Sequence, residues 1–487
     1  MQIVSFCCNW CSYAGADLAG SSRLEYPAEV KIIRIPCSCR VDPLFILRAF
    51  QRGADGVMVN GCHPGDCHYS TGNYYTRRRM ALLFSMLDFL GIDKERIRLE
   101  WVSASEGARF AAVMNEFVGK LYELSPPAQA QQGFESFSQK ATLCPAGTVG
   151  AVSNRPPSIS RAINNRPYEI AHNLLSSGEV NAVLAWKKGL FPYDTAPALF
   201  TTPESLQDMT YDGFCGSNLS KYLVETNATP GKTLIFLKPC DTYSLNQLLS
   251  EHRVNRDDLH IVGIGCNGML DIEKLRAMGL KGIQSIEEHG ENLTIHTTQG
   301  SQTCSRASAL LDKCLSCKGK DHMVYDELIN TEASADTAAG DKYAAVTELE
   351  NMSSRERFAY WRGQLSKCIR CNACRNTCPA CTCISCVFDN PKSGVSAKVN
   401  ATPFEEDMFH IIRAYHVAGR CSDCGECSRV CPQGVPIHLL NRKFIKDINE
   451  FFGEYQAGAT PEQDSPLLHF DYNDPEPNAL PRKGGKK

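Results

Sequence analysis

Two cysteine runs near the carboxyl end constrain this chain more than any other feature. Cys368, Cys371, Cys374 and Cys378 fall in C-x2-C-x2-C-x3-C spacing before Pro379, and Cys421, Cys424, Cys427 and Cys431 repeat it before Pro432. This is the donor pattern of a [4Fe-4S] cubane. Zinc is the competing reading, because C-x2-C pairs also build tetrahedral Zn–S4 sites. Zinc motifs usually offer two pairs, whereas each run here offers three close thiols and a proline-marked fourth. In two-cluster ferredoxins the fourth cysteine of each run binds the other cluster. That rule predicts Cys368, Cys371, Cys374 and Cys431 for one cubane, and Cys421, Cys424, Cys427 and Cys378 for the other. The intervening segment carries a helical pattern, so the region reads as an α-helical two-cluster ferredoxin. Cys381, Cys383 and Cys386 follow the first run without an evident task, and burial beside a cluster is expected for them.

The whole chain holds 25 cysteines in 487 residues. A disulfide framework would call for a secreted and usually small scaffold. The opening MQIVSFCCNW has no basic segment leading into a long apolar core. Short-spaced cysteine groups suit metal centres in a reducing compartment, so a cytoplasmic location is expected. No window reaches eighteen apolar residues, the length of a membrane span. A formal charge of −3 gives no electrostatic case for nucleic acid.

Composition divides the chain into blocks. Residues 1–124 alternate strand candidates (from Ile3, Val30, Gly56 and Ile97) with helical patterns such as YYTRRRMALLFSMLDFLG. That alternation predicts an α/β domain on a parallel, flavodoxin-like sheet. Residues 125–140 are Pro/Gln/Ser-rich and read as a linker. A second α/β domain is expected over 141–330, with strands from Val180, Thr233 and Leu259. A small-residue linker at 331–350 leads to the helical ferredoxin domain at 351–455, where FEEDMFHIIRAYHVAG and IHLLNRKFIKDINEFFG show three- and four-residue apolar steps. The polar, Pro-rich tail from 456 to 487 reads as disordered.

In the first block cysteines fall where strands end: Cys7, Cys8 and Cys11 at the first, Cys37 and Cys39 at the second, Cys62 and Cys67 at the third. Parallel sheets build sites at the carboxyl ends of their strands, so these loops should converge. The segments FCCNWCSYAGADLAG, PCSCRVDPLFILRAFQRGADG, NGCHPGDCHY and LEWVSASEG resemble the delta (iron–sulfur) subunit of methyl-viologen-reducing hydrogenases. The resemblance covers the whole block and implies one [2Fe-2S] cluster that relays electrons toward a heterodisulfide-reductase-type flavoprotein. Its four ligands would come from Cys7, Cys8, Cys11, Cys37, Cys62 and Cys67; Cys39 stands where the family is expected to have glycine. His63 and His68 are alternative donors of the Rieske type.

The middle block, with LLSSGEVNAVLAW, FTTPESLQDM, TLIFLKPCDTYSLNQLL, IVGIGC and KCLSCKGKD, resembles beta subunits of formate dehydrogenases and deazaflavin-reducing hydrogenases, as does CIRCNACRNTCPACTCISC in the third. That resemblance implies a further [4Fe-4S] cluster on Cys240, Cys266, Cys314 and Cys317. From spacing alone, Cys314-x2-Cys317 is equally half a zinc site. Cys144, Cys215 and Cys304 default to core packing. Relatives of this kind bind flavin (FAD). Here SNRPPSISRAINNRPYE, with Arg155, Arg161 and Arg166, replaces the expected glycine-rich stretch, so flavin is not favoured. GIGCNG fits G-x-G-x-x-G through Gly263, Gly265 and Gly268, but Cys266 occupies the turn.

No nucleophile–base pair or two-carboxylate site stands out. The reading is an electron-transfer subunit without its own substrate site. It would connect a hydrogenase, formate dehydrogenase or NADH-oxidising module to a heterodisulfide-reductase-like flavoprotein. The alternatives are a flavin-containing reductase that reduces a soluble coenzyme in its middle domain, and a zinc-stabilised scaffold.

Overall fold

The computed structural model describes residues 1–124, 166–226, 231–317, 319, 321–329, 341–393 and 402–480. Cys144, Arg155, Arg161 and the 125–140 linker lie outside the described residues. In the first block four short apolar runs form β1 (Ile3–Cys8), β2 (Val30–Ile35), β3 (Gly56–Gly61) and β4 (Ile97–Trp101). They make one parallel sheet in the order β2-β1-β3-β4. Helices α1 (Ser12–Ser21) and α4 (Gly107–Glu123) cover one face, packing Ala16, Phe110, Met114 and Phe117 onto Ile3 and Cys7. Helices α2 (Pro43–Gln51) and α3 (Gly72–Phe89) cover the other. The expected flavodoxin-like α/β layering is present.

The middle block builds a mixed sheet from β5 (Ala182–Lys188), β6 (Thr195–Phe200), β7 (Met209–Thr210), β8 (Thr233–Leu237) and β9 (Leu259–Ile264), with β10 (Ile283–His289), β11 (Asn292–Thr297) and β12 (Gly300–Ser305) set apart and β13 (Glu327–Ile329) returning to it. Strands β13, β9, β8 and β5 run parallel, while β6 and β7 pair antiparallel with β5. The antiparallel β10-β11-β12 sheet is not among the sequence expectations. Its signal is present all the same: the polar run alternates around Leu293 and Ile295, and Gly290 takes the positive φ of 60° that a tight hairpin requires.

In the third block, capping boxes at Ser353 and Thr402 start the helices Ser354–Leu365 and Pro403–His416. The helix Ile437–Phe452 packs beside the second. Their apolar faces join those of α2 and α3 in one core that includes Phe89, Trp361, Phe409 and Phe444. Gly91, at φ 72°, permits this union: a Cβ there would lie 2.2 Å from Ser354 O. The opposite side of the third block meets the middle block, where buried Ser244 and Ser422 share a 2.7 Å hydrogen bond.

Two expectations fail. Residues Ala344–Asn351, all but the last within the expected 331–350 linker, form a helix that buries Val346 and Leu349; its small residues conceal the apolar face. Residues 456–480, expected to be disordered, follow a defined course over the first block. Phe470 stacks on Tyr74, and Arg78 Nη2 donates to Asp474 Oδ1 at 2.9 Å. No described helix is long and apolar enough to cross a membrane.

Candidate metal centres

Strand parity decides which thiols meet at the edge of the first sheet. Along β1, Phe6 faces the α2–α3 side, whereas Ile3 and Cys7 face the α1–α4 side. Cys7 is therefore core: it is fully buried, 3.3 Å from Ser5 Oγ and 3.9 Å from Asn60 Nδ2, and burial pushes its thiol up to about 11. Cys7 thus leaves the set of sequence candidates, and the alternation of side chains along a strand is the signal that separates it.

The other six cysteines of the block gather. Cys8 Sγ lies 3.6 Å from Cys62 Sγ, and Cys37 Sγ 3.9 Å from Cys67 Sγ. Cys11 adjoins Cys62 and Cys67. Cys39, which the expectation of glycine had set apart, joins them. A Cβ placed on Gly72, the first residue of α3, would stand 2.5, 3.2 and 3.4 Å from the sulfurs of Cys37, Cys67 and Cys39. Glycine is thus what lets the sulfurs approach the amino end of an eighteen-residue helix, whose positive dipole favours anions. Hydrogen bonds from Cys37 and Cys62 draw the Cys8 thiol well below its ordinary range. A bond from Cys37, then Arg79 and Arg40, lowers Cys39 to about 6 against its burial. The same bonds push Cys37 and Cys62 up, so the shifts record how closely these thiols crowd together; metal ligation would take them as thiolates. The histidines have other partners: His63 Nε2 lies 2.7 Å from Glu106 Oε2, and His68 stacks on Trp10.

The two ferredoxin runs share one local design. Each has two left-handed residues around its second cysteine, Arg370 and Asn372 in the first, Asp423 and Gly425 in the second. Each then makes a single helical turn, Ala373–Asn376 or Glu426–Arg429, and these turns pack together. A cavity holds Cys368, Cys371 and Cys374 of the first run with Cys431 of the second, closed by Phe409 and Ile437. Burial pushes the thiols of Cys421, Cys424 and Cys427 up, and the neighbouring Cys378 adds to the effect on all three. The fourth cysteine of each run thus stands with the other run. Backbone N–H groups of Arg370 and Val435 donate to Cys368 and Cys431, both at 3.4 Å. Of the surplus thiols, Cys381 hydrogen-bonds Cys378 and lowers it to about 6, Cys386 packs on the core, and Cys383 is exposed.

In the middle block Cys240 opens the helix Pro239–Ser250 after β8, and Cys266 follows β9. Met269 N–H donates to Cys314 Sγ at 3.3 Å, aided by Gly268 at φ 88°. Cys266 is the charge neighbour of Cys240 and Cys314, and Cys317 that of Cys314, so the four expected thiols share one neighbourhood. Buried Lys238 lies among them, donating to Cys215 O at 2.9 Å and Ser217 O at 2.8 Å. Cys215 itself is fully buried core, and Cys304 is half-buried on β12. GIGCNG does not open a helix: Gly263 lies within β9 against His322 and Leu328, and only a six-residue helix follows, at Ile272–Ala277. Arg166 pairs with Glu327 on the surface. Among the described residues, no three His, Cys, Asp or Glu donors close at single-ion distance; the sulfurs stand instead in wider groups.

Comparison with known proteins places these groups in context. Residues 3–125 match the family model of the methyl-viologen-reducing hydrogenase delta subunit, and residues 364–435 that of a 4Fe-4S dicluster domain. Over 125 residues (26% of this chain) it is 56% identical to the F420-non-reducing hydrogenase vhc iron-sulfur subunit of Methanococcus voltae, covering 87% of that protein. The same identity and length relate it to the F420-non-reducing hydrogenase iron-sulfur subunit of Archaeoglobus profundus, of which it covers 91%. Over 124 residues, again 26% of this chain, it is 50% identical to one subunit of the ferredoxin/F(420)H(2)-dependent CoB-CoM heterodisulfide reductase of Methanosarcina acetivorans, covering 16% of that protein. A chain of the F420-reducing [NiFe] hydrogenase complex of Methanosarcina barkeri superposes at a TM-score of 0.27 and 12% identity, over 42% of this chain and 84% of that one. A likeness that weak carries no argument about fold.

Proposed function

Because the chain belongs, through residues 3–125, to the methyl-viologen-reducing hydrogenase delta-subunit family, we propose that it relays single electrons between a donor enzyme and a heterodisulfide-reductase-like flavoprotein. That it is an iron–sulfur electron-transfer subunit of the hydrogenase and heterodisulfide reductase group follows from its two matched domains and its relatives. The donor is a hydrogenase, a formate dehydrogenase or an NADH-oxidising module, in the cytoplasm of an anaerobe.

In this reading Cys368, Cys371, Cys374 and Cys431 hold one [4Fe-4S] cluster, and Cys421, Cys424, Cys427 and Cys378 hold a second. A [2Fe-2S] cluster takes four of Cys8, Cys11, Cys37, Cys39, Cys62 and Cys67. A third [4Fe-4S] cluster takes Cys240, Cys266, Cys314 and Cys317. When bound, each cluster supplies one-electron redox chemistry. The protein's own part is to set the spacing, bury the sulfurs and offer them N–H donors.

The observation that carries the reading is continuity. The ferredoxin block shares a core with the first block and buried polar contacts with the middle one, so packed protein joins the three blocks that carry the sulfur groups. The first block also matches part of a heterodisulfide reductase component, which supports that end as the one facing the flavoprotein. The test is anaerobic mixing of the dithionite-reduced chain with a heterodisulfide-reductase-type flavoprotein, following flavin bleaching. Wild type should reduce the flavin, and C62S should slow it while both cubanes remain. Equal rates in the two would overturn the relay.

A further inference from the structure

Arg413, in the last turn of the helix Pro403–His416, is among the most deeply buried side chains, with 1% exposure. Nη2 donates to Cys374 O at 2.9 Å. Nε and Nη1 have no hydrogen-bond partner among the described residues. The groups whose charge acts on it most strongly are Cys427, Cys374, Cys378 and Cys381. Cys374 belongs to the cavity of the first run, while Cys378 and Cys427 belong to the other sulfur set. The guanidinium therefore lies between the two.

Several other buried cations near the sulfurs have carboxylates. Lys313 pairs with Glu426 at 2.6 Å and Arg442 with Asp423 at 3.0 Å. Among the described residues no carboxylate pairs with Arg413. A buried cation with spare donors is costly unless negative charge lies beside it. Guanidinium cannot shed its proton to escape that cost. The sulfur sets on either side are its leading source of negative charge, and a cluster that gains an electron gains one more negative charge.

We propose that Arg413 is a positioning residue shared by two [4Fe-4S] clusters, its single buried charge favouring the reduced state of both. The proposal rests on the two-cubane reading above. Cluster potentials respond to nearby charge and to hydrogen bonds, so one guanidinium between two clusters moves both together. It also offsets the repulsion that the first electron exerts on the second.

The test is a reductive titration of the full chain followed by EPR, with iron and acid-labile sulfide assayed in parallel, for wild type, R413Q and R413K. Glutamine keeps a donor for Cys374 O but no charge; lysine keeps the charge. R413Q should lower both cubane potentials, each reduction equilibrium shifting by on the order of tenfold, about 59 mV for a one-electron couple. R413K should stay near wild type. Loss of the cubanes in R413Q alone, with R413K intact, also supports the role of the charge. Unchanged potentials in an R413Q protein that holds both cubanes, movement of one only, or equal damage in R413K and R413Q overturns it. A wild-type chain without two cubane signals refutes the functional reading instead.

Discussion

Lys313 Nζ lies 2.6 Å from Glu426 Oε1, with the two side chains 8% and 0% exposed. Lys313 precedes Cys314 of the middle set, and Glu426 lies between Cys424 and Cys427, so the pair fastens two sulfur groups across a domain seam. Against its burial, Arg429 and Lys313 hold the Glu426 carboxyl far below its usual range. Removing the carboxylate strands two cations. E426Q should cost about 3–5 kcal/mol, the range for breaking a buried pair. K313M leaves Glu426 with Arg429 and should cost less. Anaerobic denaturant unfolding compares them, and equal losses would contradict the ranking.

Gly72 is the second test. Its missing Cβ leaves the room in which Cys37, Cys39 and Cys67 meet the start of α3. G72A should remove or distort the [2Fe-2S] EPR signal while the cubane signals persist. A G72A protein with an unaltered [2Fe-2S] spectrum would show that the cradle is not used.

The C-terminal strap gives a third. Arg78 and Asp474, with side chains 7% and 3% exposed, pair through two hydrogen bonds. D474A leaves a buried guanidinium without its carboxylate and should cost about 3–5 kcal/mol. It should also make residues 465–480 a site of early proteolysis. If limited digestion leaves that segment as resistant as in wild type, the strap is not held by this pair.

His438 supplies a pH dependence. Burial, helped by Arg442, pushes its imidazole down to about 4 from 6.5. Ser428 O–H donates to Nδ1, 2.8 Å away, as a neutral ring allows. The folded state therefore binds this proton less readily than the unfolded state. Its stabilisation is complete above pH 6.5 and is lost as pH falls toward 4, about 3 kcal/mol in all. Unfolding free energies at pH 7.5 and 5 should differ less in H438N than in wild type, and equal differences would refute the assignment.

The parallel strands were legible because buried strands of this kind are nearly unbroken apolar runs, and Cys8, Cys37 and Cys62 lie at or just past their ends. That Cys431 lines a cavity with the first run agrees with the two-cluster rule applied to the spacing. What escaped depends on partners far away in the chain. The tail looks disordered until Tyr74 and Arg78 are placed beneath Phe470 and Asp474. The helix Ala344–Asn351 is short and weakly apolar, and is held by the bond from Lys443 to Glu350. Arg413 gives no sequence signal, because a single arginine on an amphipathic helix reads as surface. Cys7 and Cys8 differ only by strand parity, a distinction that the two-residue period of a strand carries and that cysteine spacing alone does not.

The central claim is that sulfurs from distant segments carry iron for one-electron transfer. Its most direct test is iron and acid-labile sulfide analysis of the anaerobically purified full chain, combined with EPR during stepwise reduction. The account predicts iron and sulfide in near-equal amounts, a [2Fe-2S] signal and at least two interacting [4Fe-4S] signals, with C431S altering the cubane of the first run. Zinc in place of iron, absence of sulfide, or a C431S spectrum changed only at the second run's cubane would contradict it.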